Sequence, residues 1–164
     1  MFKIVEKKLL AENIYRLRVE APRVAHSALP GQFVIVRTDE HGERVPLTIA
    51  DYDTSAGTVT IVIQAIGMST RKMCALNEGD ALADLAGPLG NPSEFVNVPM
   101  DELRRRRYLF VAGGVGTAPV YPQVKWLHEH GVAVDVIIGA KTSSMLIYKD
   151  EMGRVADNLY IATD

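Results

Sequence analysis

The sequence predicts two structural classes in one chain, an antiparallel β-barrel followed by a parallel α/β sheet that stops short. Three observations carry this. Short apolar–polar alternations separated by turn residues fill residues 1–98. A strand–helix–strand–helix–strand rhythm fills residues 108–164. Between them, residues 99–107 break both patterns with Pro99, Asp101, Glu102 and the arginine run Arg104–Arg107.

In the first part, Tyr15, Leu17 and Val19 alternate with Arg16, Arg18 and Glu20, which gives a half-buried strand. Pro30-Gly31 is a turn, and QFVIVR follows as a strand. Residues 40–43 form a polar turn. Val59, Ile61 and Ile63 alternate as a further strand. Residues 69–76 read as a short helix capped by Ser69 or Thr70. Residues 77–80 turn the chain into a final strand, ALADLA. Many short strands with one helix give a small antiparallel barrel.

In the second part, the continuous apolar run Tyr108–Ala112 ends at Gly113-Gly114, as in a strand buried on both faces. Residues 117–130 read as a helix that tolerates Pro119 in its first turn. Val132–Ile138 is a second buried strand. Residues 145–152 are expected as a helix and 159–162 as a third strand. Parallel strands joined by helices make right-handed crossovers. Three such strands leave an edge and one face uncovered, so the second domain is expected to be a truncated part of a longer unit.

Composition excludes several classes. The 164 residues carry 18 Lys+Arg and 20 Asp+Glu, a net charge of −2, which gives no strong field for nucleic acid or anionic lipid. One cysteine, Cys74, excludes an internal disulfide, a multi-thiolate zinc site and an all-cysteine iron–sulfur cluster in these residues. Cys74 reads as a small buried hydrophobe. No signal segment or membrane span is visible, so a cytoplasmic protein is expected. His128 and His130, two apart on a helix, do not share a metal-binding face, and His26 and His41 fall in loops.

Three segments carry potential chemistry. VAGGVGTAP, Val111–Pro119, sits between a strand and a helix, where glycine N–H groups and the helix N-terminus receive an anionic ligand. Pro119 stands where the usual dinucleotide fingerprint has its third glycine, and Asp135 lies inside the next strand rather than at its end. A ligand-free tight turn and an S-adenosylmethionine site are other uses of such a segment, the latter disfavoured by the lack of an acidic residue before Gly113. ERVPLTIADYD, Glu43–Asp53, places a proline in a strand-like run, as at an edge or break. IGMSTRKM, Ile66–Met73, reads either as a capped helix or as a phosphate cradle, followed by the turn-rich GPLGNP, Gly87–Pro92.

In this order RVPLT, GMST, GPLG, GGVGTAP and GAK resemble the ferredoxin–NADP reductase superfamily over nearly the whole chain. PGQFVIVR, ERVPLTIAD and ADLAGPLGNP are most like the alpha subunit of NADH-dependent ferredoxin–NADP oxidoreductase (sulfide dehydrogenase subunit-like). The electron-transfer subunit of dihydroorotate dehydrogenase is next. The resemblance implies a Greek-key-like flavin-binding barrel, residues 1–98, a linker, 99–107, and an NAD(P)-binding α/β domain, 108–164.

It further implies FAD held by Arg44 at the pyrophosphate, Pro46 and Leu47 along the flavin and its ribityl chain, and Thr48 near flavin N5. Gly67, Ser69 and Thr70 match the segment that bonds the FAD phosphates. Gly114, Gly116 and Thr117 match the loop for the NAD(P)H pyrophosphate, and Gly139, Ala140 and Lys141 the segment facing its adenosine side. Two departures stand out. Arg44 lies four residues before the hydroxyl instead of three, and the [2Fe–2S] cysteines of complete relatives are not among these residues. The implied activity is electron transfer between NAD(P)H and an iron–sulfur or flavin partner subunit, or ferredoxin, through FAD, with no obligatory acid–base residue. A cofactor-free interaction module on the same fold is the alternative from a different class. The sequence does not distinguish NADH from NADPH, and the arginine run is a solvated linker or a docking patch.

Overall fold

A computed structural model describes residues 1–164. Seven antiparallel strands form one sheet: β1 (Phe2–Ala11), β2 (Ile14–Glu20), β3 (Phe33–Arg37), β4 (Val45–Asp53), β5 (Thr58–Gln64), β6 (Ala81–Leu82) and β7 (Asp84–Leu89). Their order is β6-β1-β2-β5-β4-β3-β7. The two outermost strands are separated only by Ala83, whose N–H donates to the Arg37 carbonyl at 3.0 Å. One stretch of chain thus covers both edges, and the sheet curls into a nearly closed barrel without a long exposed edge. The inward positions fill it: Ile4, Leu17, Val19, Val34, Val36, Val59, Ile61 and Leu82 are wholly buried. Two short helices, α1 (Pro22–Ser27) and α2 (Met68–Ala75), add Val24, Ala25, Met73 and Cys74 to the same core.

The sequence pattern does not reveal β1 or α1. Strand β1 reads FKIVEKKLLA and shifts register between Ile4 and Glu6 and again between Leu9 and Ala11. Each irregularity offsets the period of two, so only Ile4 and Ala11 are buried and no alternation is visible. Helix α1 is six residues long and starts at Pro22, too short for a helical period.

The second unit is a parallel sheet ordered β10-β9-β8, with β8 (Arg107–Gly113), β9 (Ala133–Ala140) and β10 (Asn158–Thr163). A four-residue helix, α3 (Met100–Leu103), leads into it. Helices α4 (Thr117–Glu129) and α5 (Lys149–Val155) pack on one face, where Val124, Leu127, Val134, Val136, Ile138 and Met152 are fully or almost fully buried. The other face leaves Leu109, Val111 and Tyr160 more than half exposed. The helix expected over 145–152 is corrected to α5, four residues further on. Ile147 and Tyr148 are buried in the second core, which requires Leu146 to be extended and Tyr148 left-handed (φ 59°) before the helix begins.

The second core crosses to the barrel, taking in Ala11, Ile14, Ala50 and Val62. Three polar links accompany it: Lys125 to Asp51 at 2.8 Å, Arg16 to Glu151 at 3.4 Å, and Ser93 to Gln123 at 2.8 Å. The arginine run is used locally. Arg104 bonds the His130 carbonyl, Arg106 pairs with Glu102, and Arg107 makes two hydrogen bonds to Asp135.

Candidate functional site

Strand β4 changes partner in its middle. Val45–Thr48 pair with β3, while Ile49–Asp53 pair with β5. Strand β5 meanwhile continues past Ile61 along β2 as far as Gln64. The two strands therefore splay apart from Ile49 and Ile61. A V-shaped gap opens between Val45–Thr48 on one lip and the β5–α2 connection on the other. Pro46 fits this lip because an unpaired edge has no use for its missing N–H. The switch comes at the irregularity between Ile49 and Asp51.

On the β4 lip, alternation sends Pro46 and Thr48 outward to solvent, with Arg44 exposed just before them. Leu47 points the other way and packs against the barrel core with Val45. The lip thus brings Arg44, Pro46 and Thr48 to one face, and Leu47 to the opposite one. Phe33 pairs with Thr48, and Ile35 with Pro46, which extends the outer surface across β3. Arg44 Nη1 donates to Asp84 Oδ2 at 2.9 Å across the sheet. Glycines let the chain at β7 close against β3: a Cβ on Gly87 would lie 2.7 Å from the buried Val34 Cγ1, and one on Gly90, just past β7, 2.9 Å from the Phe33 ring.

The α2 lip is built by a cap at Gly67 rather than at Ser69 or Thr70. Thr70 Oγ1 accepts the N–H of Gly67 at 2.9 Å and of Ile66 at 3.2 Å, which fixes the entry to the helix. Ser69 is left facing the opposite lip, where its hydroxyl donates to the Glu43 carboxylate. Thr70 is turned to this cap, whereas Ser69 points across the gap.

The glycine turn adjoins β5, one of the two strands that part at the gap. Strands β8 and β9 end side by side, with Gly113 opposite Gly139. Gly114–Gly116 then form a single 3-10 turn that touches β5 and leads into α4. Gly114 has φ +54°, which favours glycine. A Cβ on Gly114 or Gly116 would meet no atom within 4 Å. The protein's own packing does not require a bare backbone there, so the turn has room for an external group beside the N–H groups of a 13-residue helix. Thr117 is buried at the first turn of α4, and Lys141 is exposed just beyond β9. Carboxyl ends of parallel strands are where open α/β sheets form ligand crevices. Helix α4 also packs across β4, joining Ala118 and Ala50 in one buried cluster, only two residues from Thr48. Glu43 and Ser69 thus join the β4 and α2 segments across the gap, while the glycine turn adjoins β5 and α4 adjoins β4.

Other candidates lie apart. Asp135 is engaged by Arg107 and Asn158, which hold its carboxyl below the usual range. His130 stacks on Trp126 with ring centroids 3.8 Å apart. No group of three His, Cys, Asp or Glu residues is arranged to hold a metal ion. Cys74 is buried, and burial pushes its thiol up. A larger cavity, about 670 Å³, lies on the other side of α4 between the barrel and α5. Its charged lining is largely self-paired through Arg16, Arg18, Glu6, Glu151, Lys125 and Asp51. No helix is long and apolar enough to cross a membrane.

No protein-family model matches the chain. Its sequence is 58% identical over 164 residues to an uncharacterized protein in the adh 3' region of Clostridium beijerinckii, covering 100% of this chain and 55% of that protein. It is 39% identical over 161 residues to a dihydroorotate dehydrogenase B (NAD(+)) electron transfer subunit homolog of Thermotoga maritima, covering 98% and 55% respectively. The structure of an NADH-dependent reduced ferredoxin–NADP oxidoreductase, described for flavin-based electron bifurcation, matches with a TM-score of 0.88 and 38% identity over 100% of this chain and 57% of that one. Phthalate dioxygenase reductase shares the fold at a TM-score of 0.76 and 20% identity, over 99% of this chain and 51% of that one. The chain spans about half the length of these proteins. By fold it is ferredoxin–NADP reductase-like, and by sequence it is a homologue of the dihydroorotate dehydrogenase B type of electron-transfer subunit.

Proposed function

We propose that this chain is the FAD-binding and NAD(P)H-receiving part of an oxidoreductase subunit that passes electrons to an iron–sulfur or flavin partner. The observation that carries the reading is the gap between β4 and β5, with Arg44 and Thr48 on one lip, Ser69 on the other and the Gly114–Gly116 turn against β5. The residues fit a diphosphate-bearing flavin. An exposed arginine and a serine hydroxyl serve the phosphates, and the open backbone at Gly114 and Gly116 serves a second dinucleotide. FAD, when bound, supplies the exchange between two-electron hydride carriers and one-electron centres.

The chain's own residues bind and orient. The Arg44 guanidinium offsets phosphate charge, Pro46 gives a rigid apolar rest for the flavin, and the Thr48 hydroxyl donates a hydrogen bond at the ring edge. Leu47 contributes from the core side by fixing the strand. Gly114, Gly116 and Thr117 position the pyrophosphate of NAD(P)H, with Gly139 and Lys141 toward its adenosine end. No side chain is needed as a general acid or base. The domain division at 98 and 107, and a partner subunit or ferredoxin as acceptor, belong to the same proposal.

A second reading, the electron-transfer subunit of a dihydroorotate dehydrogenase, is favoured by the 39% identity to the Thermotoga maritima homolog of such a subunit. Anaerobic mixing of the FAD-loaded chain with NADH and with NADPH tests the shared chemistry. Bleaching of the flavin band by one of them is expected. A flavin-loaded protein that neither nucleotide reduces, at any concentration, contradicts nicotinamide as the donor.

A further inference from the structure

The β3–β4 connection, Thr38–Arg44, is an ordered strap. Arg37 Nη1 donates to the Glu40 carbonyl at 3.0 Å, and Asp39 accepts the N–H groups of His41 and Gly42 through its side chain and its carbonyl. Arg44 at the far end is tied to Asp84. Between these anchors, Glu43 reaches over the start of α2 and accepts the Ser69 hydroxyl. Beneath the strap is a cavity of about 170 Å³, lined by Thr38, His41, Glu43, Ser69 and Lys72 among others. Lys72, His41 and the Ser69 hydroxyl suit an anionic ligand, whereas the Glu43 carboxylate opposes one.

We propose that Glu43 sets the affinity of the flavin site. Its carboxylate occupies the Ser69 hydroxyl and closes the strap over α2, so a diphosphate must displace it to bind there. The inference rests on the reading of this gap as an FAD site. Two costs fall on the incoming phosphate, namely the loss of the Glu43–Ser69 hydrogen bond and the approach of like charge. Removing the charge while keeping the side-chain shape lifts the second cost. Removing the side chain lifts both.

The test is a fluorescence titration of FAD and of riboflavin with the wild-type chain, Glu43→Gln, Glu43→Ala and Glu40→Gln. Glu40 shares the strap but its side chain makes no contact with Ser69. The expected result is FAD binding about three- to five-fold tighter in Glu43→Gln, at least as tight in Glu43→Ala, and unchanged in Glu40→Gln. Riboflavin, which has no phosphate, should show no such gain. Equal or weaker FAD binding by Glu43→Gln, with the wild type binding FAD, overturns the role of Glu43 alone. An equal gain for riboflavin does the same. Failure of every variant to bind FAD overturns the flavin site itself.

Discussion

Lys125 Nζ lies 2.8 Å from Asp51 Oδ1 and joins α4 to β4 three residues beyond Thr48. Burial alone would push the Lys125 ammonium down, but the Asp51 carboxylate more than reverses this and leaves it raised. The pair fixes the second unit against the strand that forms one lip of the gap. A double-mutant cycle of Lys125→Ala and Asp51→Ala, followed by urea denaturation, should give a coupling of about 0.5–1 kcal/mol. A coupling indistinguishable from zero would mean that the apolar contact at Ala50 and Ala118 holds this junction unaided.

Arg44 is exposed and paired only with Asp84. Exchanging that carboxylate for a phosphate loses no buried contact. Arg44→Ala should weaken FAD binding about ten-fold, whereas Asp84→Asn should leave it unchanged or tighter. Isothermal titration with FAD decides this, and a change of less than about two-fold in Arg44→Ala removes Arg44 from the site.

Gly116 has φ −64° and ψ −11°, values any residue adopts, and a Cβ there meets open space. Gly116→Val should therefore fold with a stability change within about 1 kcal/mol. NADH binding should fall by about ten-fold or more because the methyl groups fill the space over the turn. Thermal unfolding and nucleotide titration measure the two effects separately. Unaltered nucleotide affinity would place the dinucleotide elsewhere.

Glu6 accepts hydrogen bonds from both Arg16 and Arg18. Burial would raise its carboxyl, but the two guanidiniums prevail and hold it below the ordinary glutamate value of 4.5. A carboxyl depressed in the folded state adds stability above its unfolded value, and this is lost as pH falls through the folded value. Glu6→Gln should therefore cost about 1 kcal/mol at neutral pH, and the difference from wild type should shrink below about pH 4.5. Denaturation midpoints between pH 7 and pH 3 are the measurement (both limits chosen about the carboxylate range). A difference that does not change with pH would assign the loss to packing.

Much of this architecture is legible in the residues. The β8–turn–α4 unit is announced by an apolar run and glycines at a strand–helix turn, all local signals, but the burial of β8 on both faces is corrected, since Leu109 and Val111 lie on a face that no helix covers. The segments around the gap are each visible as motifs. That they adjoin is implied only by the family resemblance and by no local pattern, because it depends on β4 leaving β3 for β5, a non-local event marked in the sequence only by Pro46. The contact of Glu43 with Ser69 spans 26 residues and has no local signature. Strand β1 was hidden by its two irregularities, and the start of α5 by the burial of Ile147 and Tyr148. In each case tertiary packing overrode a short-range pattern.

In the proposed function the gap between Val45–Thr48 and the start of α2 seats a flavin dinucleotide. Incubating the chain with FAD, removing free flavin by gel filtration and recording the absorption spectrum addresses this directly. One flavin per chain is expected, with bands at roughly 370 and 450 nm travelling with the protein. A colourless protein fraction, with all the FAD eluting among small molecules, would contradict it.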